Sequence, residues 1–451
     1  MFKKVTRACV KLVQNYLPDP FLFAVILTLI VFVAGMITTA AGPLEMVKSW
    51  AGGFWGLLSF SMQMALVLVT GHTLASTPIV KKLLEKLAKP CKTPLQAIVA
   101  VTFVSTIACW INWGFGLVVG ALYAKQLAKT VKGVDYRLLI ASAYSGFLVW
   151  HAGISGSIPL QMASGGEALS KATAGAVVDP VSTSQTIFSS WNLIIVAVIL
   201  FTLPLVNRAM HPNKEDVIVV DPKLLEDEEV KGEAIKHGNT FADKLENSMV
   251  FSMLIGIMGL VYIVYYFYTE GFELNLNIVN FIFLFLGIML HKTPRKFLDA
   301  VTAAAKGTAG IILQFPFYAG IMGMMTGVSA ASGTSLAGVI SQAFVNISNQ
   351  TTFPVFTFLS AGIVNFFVPS GGGQWAVQGP IMMPASVELG VSTAKTAMAI
   401  AWGDAWTNMI QPFWALPALG IANLGARDIM GFCLIDLIYA GVIIALGLII
   451  F

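Results

Sequence analysis

The sequence predicts an all-α membrane protein that crosses the bilayer many times. Of its 451 residues, 57% are hydrophobic and only 11% are charged, and the mean hydropathy is +0.79. Soluble domains contain about 25% charged residues, so this chain lacks the polar groups to cover a water-exposed surface. Apolar segments of about 20 residues, the length that spans a bilayer, recur along it. The net charge of +4 is too small to indicate nucleic-acid binding.

We expect nine full spans and two further apolar stretches, 95–124 and 352–388, that are each broken in the middle. The first span follows a basic arm and is not followed by a signal-peptide cleavage site, so we interpret it as a membrane helix with Asp19 as its N-cap. The expected spans are 21–40, 54–77, 138–160, 190–208, 248–270, 277–291, 301–325, 396–420 and 429–451.

Loop charge predicts that the first broken stretch is a re-entrant hairpin. The loops 81–92 and 125–137 are both rich in lysine, so each is expected on the cytoplasmic side. The stretch 95–124 lies between them and should therefore enter and leave the membrane on one side. We place its turn at Asn112–Gly116, with helix resuming after Gly116. Irregular backbone at membrane depth is tolerated only inside protein or beside a water cavity, so this turn is expected to line a site.

The two broken stretches belong to an internal repeat. Thr102–Ser105 (TFVS) corresponds to Thr357–Ser360 (TFLS), and Pro159 falls opposite Pro417 in the same register. One extra helix, 248–270, separates the halves, so the second half should enter the membrane from the opposite face and the repeat should be inverted. Paired, interrupted segments in inverted halves are typical of secondary transporters. The expected units are a first membrane repeat (1–207, interrupted helix 138–160), a cytoplasmic polar linker (208–247) and a second membrane repeat (248–451, interrupted helix 396–420).

The second break, Val368–Gln374 (VPSGGGQ), predicts an anion site. Pro369 ends the incoming helix because it lacks an N–H group, and the glycines allow close approach of a ligand. We expect helix to resume near Trp375, so that two helix N-termini face each other and bind an anion without a cation. No arginine occurs in the middle of any span, which favours a small monoanion. The candidate substrate-binding residues are Asn112, Trp113, Gly114, Gly116, Ser155, Ser157, Ser370, Gly371, Gly372, Gly373, Gln374, Thr407 and Asn408, with Trp113 and Trp375 as walls for an apolar tail.

Ionisable residues inside a membrane are costly and indicate function. Asp404 is the acidic residue placed deepest in an expected span, and it is the first candidate to bind a coupling ion, either H+ or Na+. His151 is the second candidate, and a Na+ site near Asn112 and Asn408 is a further hypothesis. We expect no cofactor. The four cysteines, which have no zinc-like spacing, are interpreted as apolar fillers.

Three segments of the chain resemble the bacterial short-chain fatty acid transporter family: Tyr16–Phe21 (YLPDPF), Trp110–Gly116 (WINWGFG) and Asn365–Trp375 (NFFVPSGGGQW). The likeness covers nearly the whole chain. It implies a multi-pass permease of the bacterial inner membrane that takes up acetoacetate, butyrate and similar monocarboxylates. Its expected partners are that substrate and the lipid bilayer, with a homodimer as a possible assembly.

That family is similar to the larger ion-transporter superfamily of divalent-anion and sodium symporters. The similarity implies two hairpin tips that meet two unwound helices, in a transport domain that moves as an elevator against a scaffold. The better-known members have Ser-Asn-Thr at both tips, whereas this chain has Asn-Trp-Gly and Ser-Gly-Gly-Gly. The similarity therefore does not transfer their ligands for Na+ or dicarboxylates.

Two alternatives stand beside this reading: a transporter of another small organic anion or dicarboxylate, and an intramembrane serine protease. Gly153–Gly156 (GISG) matches the Gly-x-Ser-Gly of rhomboid-type proteases. A serine nucleophile needs a base within hydrogen-bond reach, and His151 lies one helical turn before Ser155. The later histidines, which a rhomboid would use, lie in loops or at the end of a span: His211, His237 and His291. We therefore predict a transporter and not an enzyme.

Overall fold

The computed structural model describes residues 20–220, 240–365, 368, 370–410 and 413–451, and every regular element within these ranges is helical. The expected N-cap Asp19 and Pro369 at the second break lie outside the described residues, as do residues 221–239 of the polar linker. Many helix starts follow from simple local chemistry. Three helices begin at a Thr-Pro pair, in which the threonine side chain accepts a backbone N–H and proline occupies the first helical position.

The described helices are numbered in chain order. The first repeat and the start of the linker contain α1 Pro20–Thr39, α2 Pro43–Gly53, α3 Leu58–Ala75, α4 Pro78–Ala88, α5 Pro94–Ile111, α6 Trp113–Thr130, α7 Tyr136–Ser145, α8 Ser157–Ser164, α9 Gly166–Ala172 and α10 Ser190–Ala209, with short 3-10 turns at Gly146–Ala152 and Lys214–Asp216.

The remaining helices are α11 Phe241–Glu246, α12 Met249–Thr269, α13 Leu276–His291, α14 Pro294–Ala305, α15 Ala309–Thr326, α16 Leu336–Ile347, α17 Phe353–Asn365, α18 Gly371–Glu388, α19 Thr393–Thr407, α20 Leu416–Ala422 and α21 Ala426–Ile450, with 3-10 turns at Lys306–Thr308 and Phe413–Ala415.

Seven helical stretches of the described residues are long and apolar enough to cross a membrane: Leu58–Ala75, Pro94–Ile111, Tyr136–Ser164, Ser190–Ala209, Met249–Thr269, Pro294–Thr326 and Ala426–Ile450. The expected first and sixth spans are shorter apolar helices, Ala24–Thr39 and Leu276–His291. The expected span 396–420 is not one helix, because α19 ends at Thr407. Since Pro94–Ile111 is long enough to span by itself, the re-entrant placement of the first hairpin stays a prediction.

After both breaks, helix resumes earlier than the sequence analysis expected. Asn112 alone is extended between α5 and α6, with φ −155° and ψ 123°, and Ser370 has nearly the same conformation before α18, with φ −158° and ψ 118°. Helix therefore resumes at Trp113 and at Gly371, and the predicted starts after Gly116 and near Trp375 are wrong. Each helix begins early because the Asn or Ser side chain caps its first turn.

The first interrupted helix runs from α7 through a 3-10 turn into α8. In each half the interrupted helix packs against the first arm of the broken pair: the 3-10 turn against α5, and α19 against α17. Glycines permit the close approach, since a Cβ at Gly153 would overlap the backbone of Trp110 and one at Gly403 would overlap the carbonyl oxygen of Phe358. The shared packing supports the repeat, while its inversion across a bilayer stays a prediction.

Candidate functional site

A small cavity lies where the two broken stretches meet the first interrupted helix. Its empty space is about 310 Å³ including its open side, but the centre of a water molecule fits into only about 20 Å³ of it. That is room for about one water, so the groups around it are nearly in contact. The lining residues are Met64, Trp113, Phe147, Trp150, Ser157, Ile311, Phe315, Ser370, Gly371, Gly372 and Trp414. None of these is a lysine or an arginine.

The start of α18 opens onto this cavity. Ser370 Oγ accepts a long hydrogen bond of 3.4 Å from Gly373 N–H, and Gln374 N–H donates to Ser370 O at 2.7 Å. Among the described residues, no hydrogen bond is found for the N–H groups of Gly371 and Gly372. The first N–H groups of any helix lack intrahelical partners and carry a partial positive charge. This helix start can therefore bind an anion.

Each of the three glycines at this helix start is required by packing. A Cβ at Gly371 would lie 2.5 Å from Ser157 Oγ, closer than side-chain atoms approach in real structures. At Gly372 it would overlap the ring of Phe60, and at Gly373 it would lie 2.5 Å from the ring of Tyr318. None of these glycines has a positive φ. They therefore serve close approach, and not an unusual backbone turn.

The start of α6 is arranged differently, because two of its first three N–H groups are already bound. Asn112 Oδ1 accepts from Phe115 N–H at 2.9 Å, and Ser155 Oγ accepts from Trp113 N–H at 2.9 Å. Gly116 N–H donates to the carbonyl oxygen of Asn112 at 2.8 Å. The expectation that both helix starts offer equivalent N–H groups to one anion is therefore wrong. This start contributes only the Trp113 side chain to the cavity.

The other residues of this first break have packing roles. Gly114 lies against the backbone of α3, where a Cβ would be 3.1 Å from the carbonyl oxygens of Val67 and Leu68. A Cβ at Gly116 would overlap Cys109 on α5. The Asn112 side-chain oxygen caps α6, and a Na+ site near Asn112 and Asn408 stays a prediction. No group of three His, Cys, Asp or Glu side chains that could hold a metal occurs among the described residues.

His151 links the cavity to Asp404 through a chain of short hydrogen bonds. Its Nδ1 lies 2.8 Å from Asp404 Oδ2, and its Nε2 lies 2.8 Å from Ser157 Oγ and 3.1 Å from Ile158 N. The side chains of Asp404, His151 and Ser157 are all buried, and of these three only Ser157 lines the cavity. The two coupling-ion candidates of the sequence analysis are thus in direct contact.

The backbone carbonyl oxygen of Asp404 accepts hydrogen bonds from two amide side chains. Asn365 Nδ2 donates to the Asp404 carbonyl oxygen at 2.9 Å, and Asn408 Nδ2 donates to the same oxygen at 2.8 Å. Thr407 Oγ1 donates to Gly362 O at 3.0 Å. These bonds fix the end of α19, so Thr407 and Asn408 position Asp404 and do not reach the cavity. Asp404 Oδ1 is buried and makes no hydrogen bond among the described residues.

Two predicted site residues of α18 lie off the cavity. Gln374 Nε2 donates to the Ala361 carbonyl oxygen and to Gln378 Oε1, both at 2.9 Å, so it ties α18 to α17. Trp375 is fully buried in an apolar cluster. The reason is the early helix start: Trp113 is the first residue of α6 and faces the cavity, whereas Trp375 is the fifth residue of α18.

The aromatic walls missed by the sequence analysis come from the 3-10 turn. Tyr144 stacks on Phe147 at 5.8 Å between ring centroids, and Phe147 stacks on Trp150 at 5.4 Å. In a 3-10 helix, side chains three residues apart eclipse each other, which explains this column. Trp150 in turn stacks on His151, with 4.1 Å between the ring centroids and 11° between the ring planes. The three-residue spacing was visible in the sequence, but it predicts stacking only once the 3-10 turn is known.

A second buried acid was also missed. Asp436 on α21 is fully buried, and neither carboxylate oxygen has a hydrogen bond within the described part of the chain. The sequence analysis placed Asp404 deepest in a span and did not single out Asp436. The protease alternative finds no support at Ser155, because its hydroxyl binds Trp113 N–H, and it is Ser157 that contacts His151.

The fold is that of known membrane transporters. The YdaH transporter of Alcanivorax borkumensis matches with a TM-score of 0.60 and 15% identity over 96% of this chain and 97% of its own. MtrF of Neisseria gonorrhoeae matches with a TM-score of 0.60 and 16% identity over 99% and 96%. At these identities the likeness concerns the fold alone. Together with the seven apolar helices found among the described residues, it defines the class as a multi-pass membrane protein.

Within that class, the chain belongs to the short chain fatty acid transporter family, whose model matches residues 1–451. A relative from Escherichia coli (strain K12), named "Putative short-chain fatty acid transporter", is 46% identical over 451 residues and the full length of both chains. A relative of the same name from Haemophilus influenzae (strain ATCC 51907 / DSM 11121 / KW20 / Rd) is 45% identical over 99% of both. The resemblance stated from three motifs is confirmed, and a transporter family agrees with the expectation of a non-enzyme.

Proposed function

We propose that this protein is a secondary active transporter that takes up short-chain monocarboxylates, such as acetoacetate and butyrate, across the bacterial inner membrane. The family and the names of its relatives support the substrate class. The residues that line the cavity support it independently, because a polar helix start and aromatic side chains suit the two ends of a short acid, and the cavity must widen from the volume of about one water to admit it.

The observation that carries this proposal is the helix start of α18. The carboxylate binds the N–H groups of Gly371 and Gly372 and the hydroxyl of Ser370, all at the cavity wall. A carboxylate that leaves water must recover its lost hydration. Hydrogen bonds to a charged group contribute about 1.5–3 kcal/mol each, so two or three of them suffice for a metabolite that must also be released.

The rest of the cavity selects against other anions. The apolar tail lies among Trp113, Trp150, Phe315 and Ile311, which leave no space for a long chain. A dicarboxylate would place its second charge against these rings without a cation, because no lining residue is a lysine or an arginine. Monocarboxylates are therefore preferred to dicarboxylates such as succinate.

We further propose cation-coupled uptake by an elevator movement. The coupling ion, H+ or Na+, acts at the His151–Asp404 pair. The moving unit contains the two helix starts and the interrupted helices, while α3 and α15 belong to the scaffold. This division is supported by the position of the cavity, which lies where Ser370 meets Met64 of α3 and Phe315 of α15.

Uptake of labelled butyrate into proteoliposomes tests the function. We expect saturable accumulation that is driven by one imposed gradient, of pH or of Na+, and that acetoacetate inhibits more strongly than succinate. Gly372→Val should lose uptake because the new side chain overlaps Phe60, whereas Gly52→Val should retain it because no atom lies within 4 Å of a Cβ there. Uptake no greater than in empty liposomes, or stronger inhibition by succinate, would contradict the proposal.

A further inference from the structure

The contacts of His151 favour one tautomer of its ring, because one of its neighbours can only donate a hydrogen bond. Ile158 N–H lies 3.1 Å from Nε2, so Nε2 accepts and has no proton. The ring proton is therefore on Nδ1 and is donated to Asp404 Oδ2 at 2.8 Å. Ser157 lies 2.8 Å from the same Nε2 and must also donate to it. Its lone pairs then remain for the cavity.

This arrangement disfavours an anion in the cavity. Ser157 lines the cavity next to Gly371, where a Cβ would lie 2.5 Å from its hydroxyl oxygen. A carboxylate bound at Gly371 N–H would meet the lone pairs of Ser157 instead of its hydrogen. In a buried site, such a pair of acceptors without a proton between them is costly.

We propose that His151 binds one proton together with the substrate, and that Ser157 couples the two events by reversing its hydrogen bond. A proton on Nε2 makes the ring a donor to Ser157 Oγ, and the serine hydrogen then turns to the carboxylate. Ile158 N–H loses its acceptor at the same time, a cost that the hydrogen bonds to the bound carboxylate must offset. This inference rests on the function proposed for the cavity, and it selects H+ over Na+ as the coupling ion.

Charge balance supports the same coupling. With a neutral His151 and an ionised Asp404, the buried site has one negative charge. A carboxylate alone would raise this to two in a region of low dielectric, whereas a carboxylate with one proton leaves it at one. Trp150 stacks on the imidazole at 4.1 Å, and an aromatic face stabilises a neighbouring cation. Substrate and proton should therefore bind together.

No other charged group competes for this role within the described residues around the ring. The elements packed against the 3-10 turn provide Asp404 from α19, Cys109 from α5, Tyr123 from α6, and Tyr136 and Tyr144 from α7. The Tyr144 hydroxyl donates to the Asn408 carbonyl oxygen at 2.7 Å. The helix α8 and the first turn of α18 contain no titratable side chain. The lysines and arginines of α6, α7, α10 and α19 lie towards the helix ends that are remote from the break.

The test measures protons and butyrate in one experiment on the purified full-length protein. Butyrate is added in weakly buffered detergent solution with a pH indicator, and its affinity is measured over a range of pH. We expect about one proton taken up per butyrate bound, and an affinity that rises as pH falls, by up to about tenfold per unit. His151→Gln should bind butyrate without proton uptake.

Serine variants separate coupling from folding. Ser157→Ala should weaken butyrate binding about tenfold or more, as expected for one lost hydrogen bond to a charged group, and should flatten the pH dependence. Ser157→Thr, which keeps the hydroxyl, should restore both. Ser164→Ala is the matched control, because that hydroxyl donates to Leu160 O within the same helix, remote from His151.

The outcomes distinguish two failures. If wild-type protein does not bind butyrate, the proposed function fails. If it binds butyrate without proton uptake, or only in the presence of Na+, the function stands and the coupling through His151 is wrong. Unchanged pH dependence in a folded Ser157→Ala protein would also overturn the role of Ser157.

Discussion

Gly371 at the start of α18 lies so close to Ser157 that a Cβ on the glycine would be 2.5 Å from the serine hydroxyl oxygen. This contact joins the second broken stretch to the first interrupted helix at the cavity. It also places the N–H groups of Gly371 and Gly372, which have no hydrogen bond among the described residues, beside the cavity residue whose hydroxyl contacts His151 Nε2.

Gly371→Ala tests this contact. The methyl group should push α18 away from Ser157 and His151. Overpacking of this kind costs about 1–3 kcal/mol, so butyrate affinity should fall by about 5- to 150-fold. Calorimetry would measure the butyrate affinity of this variant. Gly52→Ala is the control, because no atom lies within 4 Å of a Cβ at that position. Normal affinity in the Gly371 variant would show that the close approach is not needed.

Asn112→Ala should affect folding more than binding. Its side chain caps α6, and loss of an Asn cap costs about 0.5–2 kcal/mol, so the thermal unfolding temperature should fall. The shift of that temperature by saturating butyrate should remain. Ser370→Ala should show the reverse, with a smaller shift, because its cap is long at 3.4 Å and its hydroxyl faces the cavity. Equal loss of the butyrate shift in both variants would contradict the different roles of the two helix starts.

Ile311→Ala should change the preferred chain length. Ile311 lines the cavity from α15, and its truncation leaves space for the end of a longer acid. Each buried methylene contributes about 0.8 kcal/mol, so hexanoate should improve against butyrate by about fourfold per accommodated methylene. Competition between the two acids for uptake measures this ratio. Ile312, which is exposed on the same helix, is the control, and an identical ratio in both variants would exclude Ile311 from the tail pocket.

Gln374→Ala should reduce stability and leave the KM for butyrate within about twofold. Its amide ties α18 to the Ala361 carbonyl oxygen, and an orphaned buried acceptor costs about 1–3 kcal/mol. Thermal unfolding and uptake kinetics of the same preparation check both effects. A large rise in KM with unchanged stability would contradict this structural role and show that Gln374 binds the substrate.

The sequence predicted the breaks, the interrupted helix and the polar residues near them, because Gly, Pro and buried polar groups interrupt apolar spans for local reasons. It placed the helix starts too late, since Asn112 and Ser370 were interpreted as turn residues although each is a favourable N-cap. The partners Met64 and Phe315 could not be predicted, because an apolar residue that lines a cavity and one that faces lipid look alike in a sequence.

The position of a bound acid is the most direct test of the central claim, that the carboxylate binds the start of α18. Crystals grown with 4-bromobutyrate would locate the bromine by anomalous scattering. The account predicts one bromine peak among Trp113, Trp150 and Phe315, with carboxylate density within hydrogen-bond distance of the N–H groups of Gly371 and Gly372. A peak outside this cavity, or a carboxylate bound at the capped start of α6, would contradict it.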